Sequence, residues 1–266
     1  MINKYALLVI LVLFSYQLNA NEISGTSGDV IAVMTDEGEV DALSYKYNQS
    51  EYLILGLPYV YQTSVKKIGD IDVEVRYKNF GESRITIKDL SKVDLNQEDR
   101  ERANAEALLI RAALQSYDKT ISPSFNFKNP VIGIISSRYG KKRYINEKPR
   151  SPHLALDIAA NLGVAVSAPL KGRVILTGNF FYTGNTIILD HGFGLISSYS
   201  HLDSSIVKEN EMIQQGELIG TVGETGRVTG PHLHWTVYLN KEKINPEALL
   251  KENFLQNLFK ASQDIL

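Results

Sequence analysis

The sequence predicts a mainly β protein with added helices, built from a small N-terminal β domain, a connecting helix and a C-terminal antiparallel β-sheet domain. Three observations lead to this fold class. Apolar and polar residues alternate between residues 29 and 89, a helical pattern replaces the alternation between residues 96 and 117, and short β-rich segments recur between glycines after residue 131. Alternation with a period of two is typical of half-buried strands, and a period of 3.6 is typical of an amphipathic helix.

The first 20 residues predict a secretory signal peptide. Lys4 precedes a nearly unbroken apolar run from Tyr5 to Phe14, and the small residue Ala20 ends the segment. The apolar core is about a dozen residues long, whereas a bilayer span needs roughly 20, so a permanent anchor is the weaker alternative. We therefore expect cleavage after Ala20 and an exported, periplasmic protein with no stable membrane span after cleavage.

Composition narrows the classes of function. The formal net charge is −2, and loss of Lys4 with the signal peptide changes it to about −3, which is too near neutral to favour nucleic acid as a partner. The chain has no cysteine, which disfavours a thiol nucleophile or a zinc–thiolate knuckle and excludes disulfides. The mature chain must therefore be stabilised by burial, and its length allows two domains.

The N-terminal β domain is predicted from residues 21–92, and residues 93–130 are predicted to form a helix and a linker. The helix over Asn96–Tyr117 contains no Gly or Pro and runs for about six turns. Pro123 and Pro130 mark the linker that follows. The strands predicted before the helix are Val30–Met34, Tyr52–Leu57, Ile71–Tyr77 and Arg84–Lys88.

The C-terminal β-sheet domain is predicted from residues 131–250, with a C-terminal helix over 251–266. Frequent glycines between short β-rich segments favour tight turns and antiparallel pairing. Asn245 followed by Pro246 is typical of a helix start, so a helix is expected over residues 246–264. The strands predicted in this domain are Val164–Ala168, Arg173–Thr177, Thr186–Asp190, Leu195–Ser200, Leu218–Val222 and Leu233–Leu239.

All five histidines lie between residues 153 and 234, and this clustering indicates a metal site. Zinc prefers imidazole and carboxylate ligands, and a catalytic zinc site leaves one position open. His232 and His234 share one face of a predicted strand, although this pair alone is equally consistent with coincidence. Taken separately, the other histidines favour structural roles: His153 with Asp157 as a surface histidine and a turn cap, His201 at a strand end and His191 at a turn.

We expect His153 and Asp157 to lie on a loop and at a strand start, where bending of the backbone brings the two side chains together. Pro152 precedes the pair, and residues 158–163 lead into an alternating strand. This context disfavours a helix, although a spacing of four residues would suit one helix face.

Several ordered motifs occur together in the second half of the chain. They are Ser137-Arg-Tyr-Gly140, Ser151-Pro-His-Leu-Ala-Leu-Asp-Ile-Ala159, Ala168-Pro-Leu-Lys-Gly172, Tyr199-Ser-His-Leu202, Gly216-Glu-Leu-Ile-Gly220 and Gly226-Arg-Val-Thr-Gly-Pro-His-Leu-His234. With them, the chain from about Phe125 to Leu250 closely resembles the lysostaphin-like, or LytM-type, zinc metallopeptidases that cleave peptidoglycan cross-bridges. The resemblance implies a lysostaphin-like fold for the C-terminal domain.

The resemblance also implies roles for individual residues. It assigns one zinc ion per chain to His153, Asp157 and His234, and it assigns catalysis to His201 and His232 without saying which is the general base. One departure is Ala155, where the family usually has glycine; a methyl group is tolerated there unless the backbone needs a positive φ.

The substrate implied by the resemblance is the stem peptide of peptidoglycan. Similarity to the Gram-negative branch favours a D,D-endopeptidase that cuts the bond from D-Ala to meso-diaminopimelate. The basic segment from Arg138 to Arg150 has the ordinary interpretation of a solvated loop. Our hypothesis is that it borders the groove and attracts carboxylates of stem peptides, with Arg143 and Arg150 as substrate contacts.

Two other functions are consistent with the sequence. One is a catalytically silent protein that binds the wall or activates an amidase, and the other is a peptidase that cuts a protein substrate. The N-terminal domain could bind the wall, stabilise the fold or restrain activity by folding back over the strand that carries His232, and we take restraint as the hypothesis. The sequence leaves the oligomeric state and the cellular process open.

Overall fold

The structure is a computed structural model that describes residues 23–35, 43–68, 71–86 and 95–263. The predicted signal peptide lies outside the described residues. The described part is mainly β with added helices, which confirms the predicted fold class. Within this part of the chain, no helix is both long and apolar enough to cross a membrane.

Seven strands precede the first helix, twelve follow it, and two short helices come last in the described ranges. The early strands are β1 Ser24–Thr26, β2 Val30–Thr35, β3 Ser44–Tyr47, β4 Ser50–Gly56, β5 Ser64–Ile68, β6 Ile71–Arg76 and β7 Glu82–Ile85. Helix α1 is Gln97–Ala113. The later strands are β8 Ile134–Ser137, β9 Lys141–Ile145, β10 Lys148–His153, β11 Leu156–Ala159, β12 Ala165–Ser167, β13 Gly172–Phe180, β14 Gly184–Asp190, β15 Leu195–Ser205, β16 Met212–Ile213, β17 Leu218–Val222, β18 His232–Leu239 and β19 Glu242–Ile244. Helices α2 Pro246–Leu249 and α3 Phe254–Gln263 follow.

The N-terminal strands form small sheets that pack against the second half of the chain. One has the order β2-β4-β3, and another has the order β1-β6-β5. Tyr52 and Ile54 of β4 belong to the same buried cluster as Trp235 of β18. At Gly56 the backbone approaches so closely that an added Cβ would lie 2.7 Å from the carbonyl oxygen of Leu239. The predicted domain boundaries stay a prediction, but the two halves share one core.

Helix α1 ends at Ala113, four residues before its predicted end at Tyr117. It begins at Gln97, one residue after its predicted start, and the side chain of the capping residue Asn96 accepts a hydrogen bond from the backbone N–H of Asp99 at 2.8 Å. After the helix, the Ser116 hydroxyl donates to Asp190 at 2.5 Å. The backbone N–H of Asp118 also donates to Asp190, at 3.3 Å, so contacts with β14 hold the chain that follows the helix in a non-helical path.

A ten-stranded antiparallel sheet forms the second half of the molecule. Its main path has the order β16-β13-β14-β15-β18-β11-β8. Strand β18 lies near the middle and buries Leu233, Trp235 and Val237 completely on one face. Tyr238 is also buried, because Ile110 of α1 and Leu114, directly after the helix, cover that part of the opposite face. Only the first part of β18 therefore leaves its polar face open to a cleft.

The basic segment forms a β-hairpin from β9 and β10, so the interpretation as a solvated loop is wrong. Asn146 and Glu147 make the turn with φ values of 49° and 61°. Two successive positive φ values are typical of the type I′ turn, whose twist suits a two-residue hairpin. Strand β7 pairs in parallel with β9 and attaches the N-terminal part of the chain to this hairpin.

The predicted helix over residues 246–264 is divided into α2 and α3. Asn245 caps α2 as expected, and its side chain accepts from the N–H of Glu247 at 3.2 Å. The break is at Asn253, which has a φ of 53° and cannot continue a right-handed helix. The division directs α3 onto the N-terminal sheet, where Phe259 stacks on Tyr47 with ring centroids 4.9 Å apart.

Candidate metal centre

Sheet register brings Asp157 and His234 together. The two residues are direct partners across the antiparallel pair of β11 and β18. His153 is the last residue of strand β10, so the prediction that it lies on a loop is wrong, whereas Asp157 lies at the start of β11, as expected. Asp157 Oδ1 lies 2.9 Å from His153 Nε2 and 2.6 Å from His234 Nδ1. The two ring nitrogens are 3.4 Å apart, so three ligand-type atoms converge on one small volume.

The surrounding backbone fixes how His153 is presented. Its Nδ1–H donates to the carbonyl oxygen of Arg138 at 3.1 Å, because a carbonyl can only accept. The Nε2 atom is therefore left with its lone pair facing Asp157 and His234. An outer hydrogen bond of this kind orients a metal-binding imidazole and raises its basicity.

The charge states of the cluster also suit a cation. Burial would raise the pKa of Asp157, but the close imidazoles of His153 and His234 outweigh burial and bring the pKa well below its usual value. Burial lowers the pKa of His234 to about 4, although Asp157 opposes this shift. Near neutral pH Asp157 is therefore a carboxylate and His234 an uncharged imidazole, the protonation states that metal binding requires.

His201 and His232 lie on the open side of the same cluster. Their ring centroids are 4.9 Å apart, and the centroid of His201 is 5.7 Å from that of His234. The Nδ1–H of His201 donates to Thr225 O, and the Nδ1–H of His232 donates to Gly230 O, each at 2.9 Å. Both imidazoles therefore keep Nε2 available for proton transfer.

A β-bulge in β15 directs His201 toward the cluster. The pairing with β14 shifts register between Tyr199 and Leu202, and His201 has a φ of 66°. A bulge inserts one extra residue and re-aims a side chain, and a positive φ at a residue other than glycine is a strained conformation typical of functional sites. The sequence places His201 at the end of a strand, whereas β15 continues to Ser205.

Two groups of three residues have ligand atoms within 4.8 Å of one another among the described residues. They are His153, Asp157 and His234, and His201, His232 and His234. Only the first group contains a carboxylate, and it is the more buried of the two. A negative ligand and burial both strengthen attraction to a cation, so the chemistry of the first group fits zinc better.

The cluster opens into a cleft of about 430 Å³. The cleft includes Arg143, one of the two predicted substrate contacts, whereas Arg150 does not line it. Sequence reasoning did not select the remaining polar and apolar lining residues. They are Ile85, Thr86, Ile145, Tyr182, Thr183, Arg227, Val228 and Thr229.

The wall opposite the hairpin depends on close backbone contact. Gly226 has a φ of 77°, and a Cβ atom there would lie 2.4 Å from the backbone nitrogen of Gly184. Thr225 is fixed beside it, because its hydroxyl donates to Leu202 O at 2.7 Å. Gly226 belongs to a motif recognised in the sequence. The position of the neighbouring Arg227 in the cleft lining is seen only in the structure.

His191 takes no part in the cluster and belongs to a buried polar chain. Its Nδ1–H donates to Lys171 O at 2.8 Å, and its Nε2 accepts from the Ser197 hydroxyl at 2.7 Å. Ser197 and the Tyr199 hydroxyl are 2.6 Å apart. The chain fixes a neutral tautomer of His191 in a position that water does not reach.

We expect His191 to make stability depend on pH. Burial lowers its pKa from 6.5 to about 4, so the unfolded chain binds a proton between these values and the folded chain does not. The contribution of neutral His191 to the free energy of unfolding is complete above about pH 6.5. It falls by roughly 3 kcal/mol as the pH decreases toward 4. Urea unfolding at pH 7.5 and pH 5.0 should show a smaller pH dependence for His191→Gln than for the wild type. Equal dependence in the two proteins would contradict this assignment.

Comparison with known proteins identifies the second half of the chain. Residues 151–246 match the model of Peptidase family M23. This chain contains an M23 peptidase domain. The match covers both residue groups that converge on the cleft, and it confirms the resemblance to LytM-type peptidases.

Relatives of the M23 domain include named wall enzymes. The chain is 36% identical over 112 residues to peptidoglycan DD-endopeptidase ShyA of Vibrio cholerae, covering 42% of this chain and 26% of that protein. It is 34% identical over 122 residues to DD-carboxypeptidase/endopeptidase Mpg of Neisseria meningitidis, covering 46% and 28%. The chain therefore spans only about a quarter of the length of these two relatives.

A solved structure extends the similarity beyond the M23 domain. The crystal structure of a candidate M23 peptidase from Pseudomonas aeruginosa aligns with a TM-score of 0.67 and 28% identity. The alignment covers 85% of this chain and 94% of that one. Ala155, the departure from the usual family glycine, is completely buried and has no positive φ, so its methyl group fits the local backbone.

Proposed function

We propose that this protein is a zinc-dependent endopeptidase that hydrolyses peptide cross-links of peptidoglycan. The observation that carries the proposal is the convergence of His153, Asp157 and His234 beside two further imidazoles in an open cleft. A catalytic zinc site uses three protein ligands and leaves a position for water. The names of the relatives support peptidoglycan as the substrate.

In this proposal His153, Asp157 and His234 hold one zinc ion per chain. When bound, zinc would polarise the scissile carbonyl and make water more acidic. The Arg138 carbonyl keeps the Nε2 of His153 directed at the site. Asp157 lies between the two imidazoles and supplies the negative charge of the ligand set.

His201 and His232 supply the proton transfers. Hydrolysis of an amide needs one group that takes a proton from water and one that delivers a proton to the leaving amine. Each imidazole donates from Nδ1 to a backbone carbonyl, so its Nε2 can perform either transfer. Burial lowers the pKa of His201 to about 3, and the nearby His234 acts in the same direction. His201 is therefore an uncharged imidazole at neutral pH.

The bond that we propose is the D,D-cross-link from D-Ala to meso-diaminopimelate. The relatives named as DD-endopeptidases come from Gram-negative bacteria, and this cross-link is typical of their walls. Action on the wall requires export, which agrees with the periplasmic location expected from the N-terminal segment. Arg143 and Arg150 remain our proposed contacts to the stem peptide.

Digestion of purified sacculi tests the proposal. Chromatography with mass spectrometry of the released muropeptides should show cross-linked dimers converted to monomers by the purified protein. A chelator should stop the conversion, and added zinc should restore it, because the ligand atoms come from a preformed site. No conversion by zinc-loaded protein would reject the proposed activity. If a chelator left the conversion unchanged, the proposed dependence on zinc would be rejected.

A further inference from the structure

Helix α1 contacts the turn between β13 and β14 through a carboxylate. Glu106 Oε2 accepts a hydrogen bond from the backbone N–H of Phe181 at 2.6 Å. Phe181 is the first of the three turn residues, 181–183, that link the two strands. The Glu106 side chain is only 15% exposed, and a hydrogen bond to an ionised acceptor is stronger than one between neutral groups. The helix therefore holds the turn at its first residue.

Arg102, one helical turn before Glu106, orients this carboxylate. Its Nε donates to Glu106 Oε1 at 2.7 Å, so each carboxylate oxygen has its own partner. Another guanidinium nitrogen of Arg102 donates to Asn179 Oδ1 at 3.3 Å, near the end of β13. Arg102 is half exposed, and exposed ion pairs add little to stability. The pair matters here because it directs the second oxygen of Glu106 at the turn.

The same turn forms part of the wall of the candidate metal cleft. Tyr182 and Thr183 both line the cleft. The carbonyl oxygen of Thr183 accepts from the backbone N–H of His201 at 2.8 Å, and that of Tyr182 accepts from the backbone N–H of Arg227 at 3.0 Å. The turn therefore fixes the backbone of two residues that line the cleft, one of which is assigned to proton transfer.

The backbone of His201 needs support of this kind. His201 has a φ of 66° and lies at the bulge in β15. A positive φ at a residue other than glycine persists only where the surrounding structure over-determines it. The Thr183 carbonyl holds the backbone N–H, and the Thr225 carbonyl holds the ring N–H. Movement of the turn would loosen the first of these two contacts and change the direction of the imidazole.

We propose that Glu106 is a positioning residue for His201, so that α1 belongs to the catalytic unit. Glu106 acts through the Phe181 N–H and the turn, and it does not touch the reacting atoms. The inference rests on the proposed function and extends it to a helix that precedes the M23 match at residues 151–246. Correct placement of a proton-transfer group is worth a large factor in rate, since a displacement of about 1 Å can cost about 100-fold.

Kinetics of zinc-loaded variants on a synthetic cross-linked tetrapeptide dimer test the proposal. Glu106→Ala should lower kcat about 10-fold and leave KM within about twofold, because the lost contact places a catalytic group and binds no substrate. Glu106→Gln keeps an oxygen that can accept from the Phe181 N–H, so it should recover most of the lost kcat. Glu101→Ala is the matched control, since Glu101 is exposed on the same helix and bonds to Gln97 within it. It should keep the wild-type kcat.

A double substitution and an amide exchange measurement trace the effect to His201. In a His201→Ala background, Glu106→Ala should cause little further loss of kcat, because residues that act through one another are not additive. Hydrogen exchange of the His201 backbone amide, followed by NMR, should be about 10-fold faster in Glu106→Ala than in the wild type. Exchange in Glu101→Ala and zinc content in all variants should be unchanged.

The outcomes separate this inference from the proposed function. Wild-type kcat and wild-type exchange at His201 in Glu106→Ala would reject the positioning role and leave the endopeptidase intact. Equal losses of kcat with and without the His201 imidazole would also reject it. If Glu106→Ala did not fold, Glu106→Asp would replace it, because its shorter side chain withdraws the oxygen from Phe181. Failure of the zinc-loaded wild type to cleave the dimer would reject the proposed function, and amide exchange would still test the contact.

Discussion

Asp157→Asn is expected to remove zinc from the purified protein and to reduce kcat/KM on cross-linked dimers by more than about 100-fold. Even changes to residues that only contact a metal ligand reduce metal affinity or activity about 10- to 100-fold. Asp157 is the only charged ligand in its group, and its Oδ1 contacts both partner imidazoles. Asparagine keeps the size and an acceptor oxygen, so the change removes charge with little change in packing. Elemental analysis of zinc per chain and steady-state kinetics measure the two effects.

A matched substitution controls for the loss of one carboxylate. Asp203→Asn changes an exposed residue of β15 that lies outside both ligand groups, and it should leave zinc content and kcat/KM at wild-type values. Thermal unfolding with zinc present should separate the variants, because a ligand that binds only the folded state raises its stability. A full equivalent of zinc in Asp157→Asn would contradict the ligand set proposed here.

Regular elements were predictable where the sequence carries its own periodic signal. The predicted strand Leu218–Val222 has the observed bounds, and β6 departs from its prediction by one residue. Strand β6 carries Ile71, Val73 and Val75 on one face, and β17 lies between Gly216 and Gly223. Strands β3 and β5 were not predicted, because they are short and mostly polar, and pairing with β4 and β6 defines them.

Departures from prediction occur where long-range contacts decide the local backbone. Helix α1 ends at Ala113, and shortly after it Ser116 bonds to Asp190, 74 residues later in the chain. The basic segment forms a hairpin whose strand β9 also pairs with β7, more than 50 residues earlier in the chain. Local propensity has no access to such partners, so sequence patterns predicted the helix with a late end and left the hairpin as a loop.

Some features of the candidate site were also predictable from the sequence, and others depend on the fold. The clustering of histidines in the sequence indicated a metal site, and the structure places His153, Asp157 and His234 together with the expected residue types. Local sequence pattern alone could not separate His191 from His201, since each lies near a strand end, and only the family resemblance assigned catalysis to His201. Burial in a polar chain sets His191 apart, and a bulge that no local pattern signals brings His201 to the cleft.

Substitution of either cleft imidazole is expected to separate catalysis from metal binding. His201→Ala and His232→Ala should each lower kcat by about 10²- to 10⁴-fold, the usual contribution of a general acid or base. Zinc content should remain at the wild-type value, because neither residue belongs to the group that contains Asp157. Retention of more than a tenth of wild-type kcat by both variants would reject their assignment to proton transfer, and loss of zinc from either would favour the second ligand group.

Glutamine at the same positions can identify which imidazole takes the proton from water. Its amide can donate a hydrogen bond but cannot accept a proton, so it replaces a group that only stabilises developing charge and fails to replace a base. His201 is the stronger candidate for the base, because the Thr225 carbonyl fixes its tautomer and burial keeps it uncharged near neutral pH. We therefore expect His201→Gln to be as inactive as His201→Ala, whereas His232→Gln recovers at least about tenfold over His232→Ala. The reverse pattern would assign the base to His232, whose more exposed ring lies at the open side of the cleft.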